Sequence, residues 1–496
     1  MRASGILLPI FSLPGKYGIG CFSKEAYNFI DFLANAKQKY WQILPLGPTS
    51  YGDSPYQSFS TFAGNPYFID PQALVDKGLL EAKDLKGLDF GKDDRDIDYS
   101  LLYENRFKLL RKAYENSNIN KSSDFNRFRS ENQYWLHDYA LFMAIKDFFG
   151  GGCYTQWPED IRRHYGYAIE YYQDKLYYDV EFYEFLQYEF FTEWFKLKSY
   201  ANEKGIKIIG DIPIYVSADS SDAWAHPELF QVDDQGNPTA VAGCPPDGFS
   251  PTGQLWGNPL YNWEYHRKTG FDWWVKRVSK CRQLYDVIRI DHFRGFDEYY
   301  SIPAGDKDAK GGSWKKGPGI DLFRTINYHL PGTEIIAEDL GYITDTVRWL
   351  VSECGYPNMK VLQFAFDSRD SSGPIEYLPY NYNKNCVVYT GTHDNETVRG
   401  YLDSIKPAEL NMIRKYIGND ALTKEELVKE LIRLAQASTG NLCVIPMQDY
   451  LGLDNKARIN TPSTLGTNWR WRFKKTDFTK ALRDEIKSFT VTYGRA

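Results

Sequence analysis

Three acidic residues, Asp291, Glu338 and Asp394, each stand at the end of a short apolar run. Such runs are typical of strands buried on both faces, and the C-terminal ends of barrel strands meet at one mouth. Cleavage of a glycosidic bond needs an ionised carboxylate close to a protonated carboxyl. The sequence therefore indicates glycoside chemistry. The alternative is that the acids are only helix caps or loop ion pairs, which is the interpretation we favour for Asp339.

Arg289 precedes Asp291 by two residues, so on a strand both side chains point to the same side. A guanidinium beside a carboxylate lowers its pKa and keeps it ionised, as a nucleophile requires. A plain ion pair that closes the strand is the alternative. The approach to Glu338 is more apolar, which favours a protonated carboxyl and an acid/base role. Asp394 would then hold sugar hydroxyls as the ring distorts toward the transition state.

His292 and His393 each flank one of these acids. Two histidines beside several carboxylates could form a metal site, but neither has the spacing of a metal-ligand motif. We therefore predict no metal and no cofactor. Both imidazoles are expected to hydrogen-bond sugar hydroxyls or the carboxylates.

Residues 51–58, after the second predicted strand, have the composition of a substrate surface. They present Tyr51 and Tyr56 beside small polar side chains, among them Ser54. Aromatic rings with a polar edge suit sugar rings, so we expect these three side chains to contact substrate.

A second candidate surface is the long Gly- and Pro-rich stretch 245–259. Its glycines permit tight turns, while Phe249 and Trp256 could cover a bound chain as a lid. The alternative is an ordinary turn-rich connection. Its length and its position on the side of the acids favour the lid.

Composition limits the class of protein. The net charge is −6 with no basic cluster, which argues against a nucleic acid or an anionic membrane as partner. Aromatic residues make up 16%, a weak indication of a carbohydrate ligand. The seven cysteines are scattered without a Cys-x-x-Cys pair, as for free thiols in a reducing compartment. No signal peptide or transmembrane run is visible, so we expect a cytoplasmic location.

Eight short apolar runs predict eight buried parallel strands. They are 5–11, 41–46, 206–216, 287–291, 334–338, 359–366, 386–390 and 442–447. Helical patterns between several of them predict an α/β fold, a (β/α)8 TIM barrel that forms a single catalytic domain over 1–496. An open doubly wound sheet is the alternative, although no Gly-x-Gly-x-x-Gly turn supports it.

The uneven spacing of the runs predicts inserted subdomains after strands 2 and 3. The first, at about 50–180, contains several helical patterns and should be mostly helical. The second, at about 217–286, is rich in Pro, Gly and Trp, should be loop-rich, and contains the lid loop 245–259.

Several blocks of the sequence resemble the catalytic motifs of the amylomaltase family, the bacterial 4-α-glucanotransferases. They are 52–58, 210–213, 253–259, 289–295, 337–341 and 392–395. The likeness extends in the same order from residue 7 to residue 470, nearly the whole chain. It implies a (β/α)8 barrel of the α-amylase superfamily.

The resemblance also implies a role for each matched residue. Asp291 would be the nucleophile, Glu338 the acid/base and Asp394 the transition-state stabiliser. Trp256 would lie on the acceptor side, and Tyr51 at a second glucan-binding surface. The residues implied around the donor sugar are Tyr56, Asp211, Arg289, His292 and His393.

The expected activity is transfer of α-1,4-glucan segments between maltooligosaccharides, with release of glucose. The expected partners are maltooligosaccharides, amylose or starch. Retention of configuration would place the two reacting carboxyls about 5–5.5 Å apart. Two alternatives remain open: an α-glucan hydrolase on the same scaffold, and a non-catalytic starch-binding protein.

Overall fold

The computed structural model describes residues 2–246, 250–341, 343–366 and 374–496. These residues form twelve strands. In chain order they are β1 (Ala3–Leu7), β2 (Tyr40–Gln42), β3 (Lys207–Ile212), β4 (Ala240–Cys244), β5 (Gln254–Pro259), β6 (Val287–Ile290), β7 (Glu298–Pro303), β8 (Ser313–Lys316), β9 (Glu334–Ala337), β10 (Asn358–Val361), β11 (Cys386–Tyr389) and β12 (Leu442–Pro446).

Eight of these strands form one parallel sheet in the order β10-β11-β12-β1-β2-β3-β6-β9. Each lies within or at the edge of one of the eight predicted apolar runs, and the predicted barrel is confirmed. Strand order follows chain order around the sheet, as the short connections of a (β/α)8 barrel require. The sequence predicts several strands longer than the observed ones, because apolar residues continue into the turns beyond the last paired residue.

The two edge strands of the sheet, β9 and β10, are joined by backbone–backbone hydrogen bonding and by hydrogen bonds to a side chain. The backbone N–H of Ala337 donates to the carbonyl of Pro357 at 3.0 Å. The carboxyl of Asp339 accepts from the backbone N–H of Met359 at 3.0 Å and from the side chain of Asn358 at 3.3 Å. Asp339 therefore substitutes for a missing strand partner and closes the barrel.

Helices surround the barrel and fill its connections. They are α1 (Lys24–Asn35), α2 (Pro71–Asp76), α3 (Tyr99–Glu115), α4 (Ser123–Glu131), α5 (Gln133–Phe148), α6 (Glu159–Arg162), α7 (Gly166–Lys175), α8 (Tyr177–Glu203), α9 (Ser221–Ala225), α10 (Trp263–Lys268), α11 (Asp272–Leu284), α12 (Ile320–His329), α13 (Asp345–Cys354), α14 (Val398–Ser404), α15 (Pro407–Ile417), α16 (Lys424–Ala437), α17 (Met447–Tyr450) and α18 (Lys480–Thr492). None of the helices in the described ranges has both the length and the apolar character needed to cross a membrane.

Local sequence signals account for several helix ends. The Ser23 hydroxyl accepts from the N–H of Glu25 and begins α1, and Thr344 caps α13 in the same way. Gly355 ends α13 in the left-handed conformation, at φ 72°, which glycine adopts without a steric penalty.

The connection between β2 and β3 contains α2 to α8. The longest of these, α8, has 27 residues and packs against α1 and β3 with its buried aromatic and aliphatic residues. The helix α8 therefore packs both against the barrel and against the helices that precede it.

The connection between β3 and β6 is more ordered than its composition predicts. It contains β4 and β5, which join β7 and β8 in an antiparallel sheet of order β5-β4-β7-β8. Because β7 and β8 come after β6, this sheet ties together the connections that follow two neighbouring barrel strands.

The barrel interior is polar at its mouth, which we define as the C-terminal ends of the eight strands. Toward the N-terminal ends of the strands the interior is apolar. Ile209 of β3, Val287 of β6 and Ile336 of β9 share one buried cluster inside the barrel. Side chains on a strand alternate, so the residues two positions further on also face the interior. These are Asp211, Arg289 and Glu338.

We predict that Asp339→Ala destabilises the fold by about 1–3 kcal/mol, because the N–H of Met359 and the amide of Asn358 lose a buried acceptor. Urea unfolding measures the change. Asp345→Ala, which removes a solvent-exposed carboxyl from α13, is the control and should change stability by less than about 0.5 kcal/mol. Equal stability of the two variants would contradict the assignment of Asp339 to barrel closure.

Candidate active site

The centre of the mouth is occupied by the buried guanidinium of Arg289. Its Nη1 donates to the two carboxylate oxygens of Asp211 at 2.8 and 2.6 Å, and to Oδ1 of Asp291 at 3.1 Å. Arg289 and Asp211 are paired residues of the parallel ladder between β3 and β6. One cation is therefore shared by a buried carboxylate and by Asp291, whose side chain is 27% exposed.

The carboxyl of Glu338 is held by the loop that follows Asp291. Its Oε2 accepts from the backbone N–H of His292 at 2.7 Å, and its Oε1 from the N–H of Leu340 at 2.8 Å. The N–H of Phe293 donates to the Glu338 carbonyl at 2.9 Å. His292 adopts the left-handed conformation at φ 49°, which is uncommon for a residue with a Cβ. This single turn therefore links the positions of Asp291 and Glu338.

Asp394 follows β11 and is held by the segment that follows β12. Asn460 donates from Nδ2 to Oδ1 of Asp394 at 2.6 Å, and Arg458 donates to the Asp394 carbonyl at 2.6 Å. The Nε2 of His393 lies 3.3 Å from Oδ2 of Asp394. Asn460 was not predicted as a site residue, because a lone asparagine in a distant loop carries no local sequence signal.

The pKa values of Asp291 and Glu338 are both raised above their ordinary values. Burial raises the pKa of Asp291 to about 6, against the opposing effect of Arg289. This corrects the expectation that Arg289 brings the pKa below its ordinary value: the direction of its effect is right, but burial outweighs it. Burial and the neighbouring charge of Asp291 raise the pKa of Glu338 to about 7. Glu338 is thus the easier of the two to protonate, as its predicted role requires.

The pKa of Asp394 is shifted the opposite way. Burial alone would raise it, but His393 and the hydrogen bond from Asn460 lower the pKa of Asp394 to about 2. Asp394 in turn raises the pKa of His393 above its ordinary value, against the effect of burial. Asp394 is therefore ionised throughout the neutral range.

His292 differs from His393. Burial and the nearby Arg294 lower the pKa of His292 to about 3, so its imidazole is neutral. Within the described ranges, no three His, Cys, Asp or Glu side chains lie together as ligands for a metal ion.

Aromatic rings form one wall of the site. The hydroxyl of Tyr56 donates to Oδ2 of Asp211 at 2.8 Å, and its ring stacks on His393 with centroids 5.1 Å apart. Trp469 packs against the ring of Tyr56 at 5.7 Å and adopts a left-handed conformation at φ 64°. Trp469 was not predicted as a site residue, because its approach to Tyr56 is a tertiary contact.

The remaining predicted residues lie at different distances from this centre. The ring of Trp256 meets that of His292 edge-on, with centroids 4.9 Å apart, which brings the end of the predicted lid to the mouth. Ser54 accepts from the N–H of Tyr56 at 3.2 Å and so supports the turn that carries this tyrosine. Tyr51 is 75% exposed and donates to the carbonyl of Gly151. Phe249 lies outside the described residues.

Comparison with known proteins assigns this arrangement to a family. Residues 8–477 match the model of the 4-alpha-glucanotransferase family. The chain belongs to that family. It is therefore an enzyme of the glycosyltransferase class, and the predicted resemblance is confirmed.

Relatives in this family match the chain from end to end. The 4-alpha-glucanotransferase of Clostridium butyricum is 51% identical over 488 residues, covering 98% of this chain and 99% of the relative. The 4-alpha-glucanotransferase of Aquifex aeolicus is 44% identical and covers 100% of both chains. Among solved structures, the amylomaltase of Streptococcus agalactiae in complex with acarbose is 42% identical, with a TM-score of 0.96 and full coverage of both chains.

We predict that Asp211→Asn lowers the pKa of Asp291 below about 6. The substitution removes a negative neighbour and leaves the charge of Arg289 to Asp291 alone. The acid limb of the kcat/KM profile should therefore move to lower pH. Asp286→Asn, which changes a carboxyl just before β6, is the control and should leave the limb in place. A limb that stays unchanged in Asp211→Asn would contradict the shared-cation arrangement.

Proposed function

We propose that this enzyme transfers α-1,4-glucan segments between maltooligosaccharides by a retaining double displacement through a covalent glycosyl-Asp291 intermediate. The observation that carries the proposal is the pairing of Asp291, held by Arg289, with Glu338, held by the turn that follows Asp291. Burial raises the pKa of both carboxyls, and the charge of Asp291 raises that of Glu338 further, which favours a protonated Glu338 beside an ionised Asp291, as an acid and a nucleophile require.

In the first step, an oxygen of Asp291 attacks the anomeric carbon of the donor sugar. Glu338 gives its proton to the glycosidic oxygen, the glycosidic bond breaks, and the reducing-end fragment leaves as an alcohol. Asp291 loses its negative charge when the ester bond forms. Since this charge raises the pKa of Glu338, ester formation lowers that pKa and prepares Glu338 to act as a base.

In the second step, the 4-hydroxyl of an acceptor sugar attacks the anomeric carbon. Glu338 removes the hydroxyl proton, the ester bond to Asp291 breaks, and Asp291 returns to its ionised form. Two inversions at the same carbon retain the configuration. This requires the two carboxyls to lie about 5–5.5 Å apart when substrate is bound.

Asp394 acts on the positive charge that develops at the sugar ring. Its lowered pKa keeps it ionised, and Asn460 and His393 hold it in position. An anion that needs no rearrangement during the reaction stabilises an oxocarbenium-like transition state most effectively.

The substrate class follows from the walls of the site and from its relatives. The rings of Tyr56, Trp469 and Trp256 offer flat faces with polar edges, which suit glucose units. The Streptococcus agalactiae relative was solved in complex with acarbose. We infer that maltooligosaccharides, amylose and starch are the donors. Arg289, Asp211, His292 and His393 would contact the donor sugar, and Tyr51 would belong to a separate glucan-binding surface.

Incubation with maltotriose tests the transfer reaction. We predict glucose together with maltotetraose and longer chains, because the acceptor is a sugar. Formation of only glucose and maltose would indicate a hydrolase instead. Asp291→Asn should lower the rate by at least about a thousandfold, because the nucleophile is lost. Asp345→Asn is the control and should retain full activity. An Asp291→Asn variant with unchanged turnover would contradict the nucleophile assignment.

The pH dependence of kcat/KM tests the acid/base assignment. Activity should fall below about pH 6 as Asp291 becomes protonated, and above about pH 7 as Glu338 loses its proton. With maltosyl fluoride as donor, whose leaving group needs no proton, Glu338→Gln should still release fluoride, and the residual activity of Glu338→Gln on maltotriose should lack the alkaline limb. An alkaline limb that persists in Glu338→Gln would assign the limb to another group.

A further inference from the structure

Two loops at the mouth are joined by a pair of amide side chains. Gln57 directly follows Tyr56, and Asn258 stands two residues after Trp256 in β5. The Nε2 of Gln57 donates to Oδ1 of Asn258 at 3.0 Å, and Nδ2 of Asn258 donates to Oε1 of Gln57 at 3.3 Å. These reciprocal bonds connect the turn after β2 with the antiparallel sheet.

Asn258 is the anchored member of the pair. It is buried, and its Nδ2 also donates to the carbonyl of Val216, beyond β3, at 2.7 Å. The amide pair therefore rests on the backbone of a third segment at the mouth. A buried amide of this kind is costly to leave without its partners.

Gln57 is also part of the turn that carries Tyr56, and its backbone is hydrogen-bonded within that turn. Its backbone carbonyl accepts from the N–H of Ser50 at 3.0 Å, and its N–H donates to the carbonyl of Ser54 at 3.1 Å. The turn is thus closed internally, and a shift of Gln57 would move Tyr56 with it. Tyr56 in turn contacts Asp211.

Asn258 acts in the same way on the strand that carries Trp256. Trp256 lies on the same strand and packs edge-on against His292, whose backbone N–H holds Glu338. A displacement of β5 would therefore move the Trp256 ring that packs against His292, next to the acid/base.

We propose that Gln57 and Asn258 are a positioning pair that sets the gap between the walls carrying Tyr56 and Trp256, and so favours a sugar over water as acceptor. The inference rests on the proposed transfer reaction. A closed gap excludes water from the glycosyl-enzyme, while a bound sugar still fits against the aromatic rings. Neither amide touches the reacting acids, so the pair acts through its neighbours.

The test compares Gln57→Ala with Gln231→Ala, a matched control that removes an amide bonded to the Tyr261 carbonyl. In Gln57→Ala we expect the backbone amides of residues 254–258 to exchange with deuterium about tenfold faster, since loss of one such pair corresponds to about 1.4 kcal/mol. The kcat/KM for transfer from maltotriose should fall about tenfold, and the ratio of hydrolysis to transfer should rise. Gln231→Ala should leave that ratio unchanged.

Two further variants separate a positioning role from a general loss of stability. The exchanged variant Gln57→Asn with Asn258→Gln keeps an amide pair of the same total length and should recover most of the transfer ratio. In the double variant Gln57→Ala with Asn258→Ala, the effects on the ratio should be clearly less than additive. An unchanged ratio and unchanged exchange at residues 254–258 in Gln57→Ala would overturn the proposal. Deuterium exchange needs no turnover, so the pair is tested even if the wild-type enzyme forms no maltotetraose, a result that would reject the transfer reaction itself.

Discussion

The site depends on one buried cation placed between two carboxylates. Transfer of a charge from water into a protein costs several kcal/mol, so Arg289 is tolerated inside the barrel only with its partners around it. Asp211 supplies the buried partner and Asp291 the partly exposed one. Tyr56 completes the arrangement by donating to Asp211. The strand register places all three charged groups, because Asp211 and Arg289 are opposite each other and Asp291 follows on the same face.

The relation between Asp291 and Glu338 is set by backbone and not by side-chain packing. The N–H of His292 reaches Glu338 because His292 adopts a left-handed conformation, which costs a residue with a Cβ roughly 1–2 kcal/mol. The surrounding loop maintains that strain, as is common where a reactive group must be aimed. Burial raises the pKa of both carboxyls, the charge of Asp291 raises that of Glu338 further, and Arg289 opposes the rise in each.

The sequence was sufficient for features that depend on local pattern. Apolar runs predicted all eight barrel strands, and strand alternation predicted that Arg289 and Asp291 share a face. Features that depend on contacts between distant segments escaped prediction. Asn460 and Trp469 reach the site from the segment after β12, and the antiparallel sheet pairs strands on both sides of β6. The net pKa of Asp291 also escaped, because the depth of burial is a property of the whole fold.

Carboxyl-carbon NMR titration of Asp291 and Glu338 in the free enzyme tests the central claim most directly. The structure predicts that Asp291 ionises first, with a pKa of about 6, and that Glu338 keeps its proton until about pH 7. The two steps belong to an interacting pair, so the order of ionisation is the decisive quantity. A titration in which Glu338 ionises before Asp291 would contradict the account of how this barrel prepares one acid to attack and the other to donate.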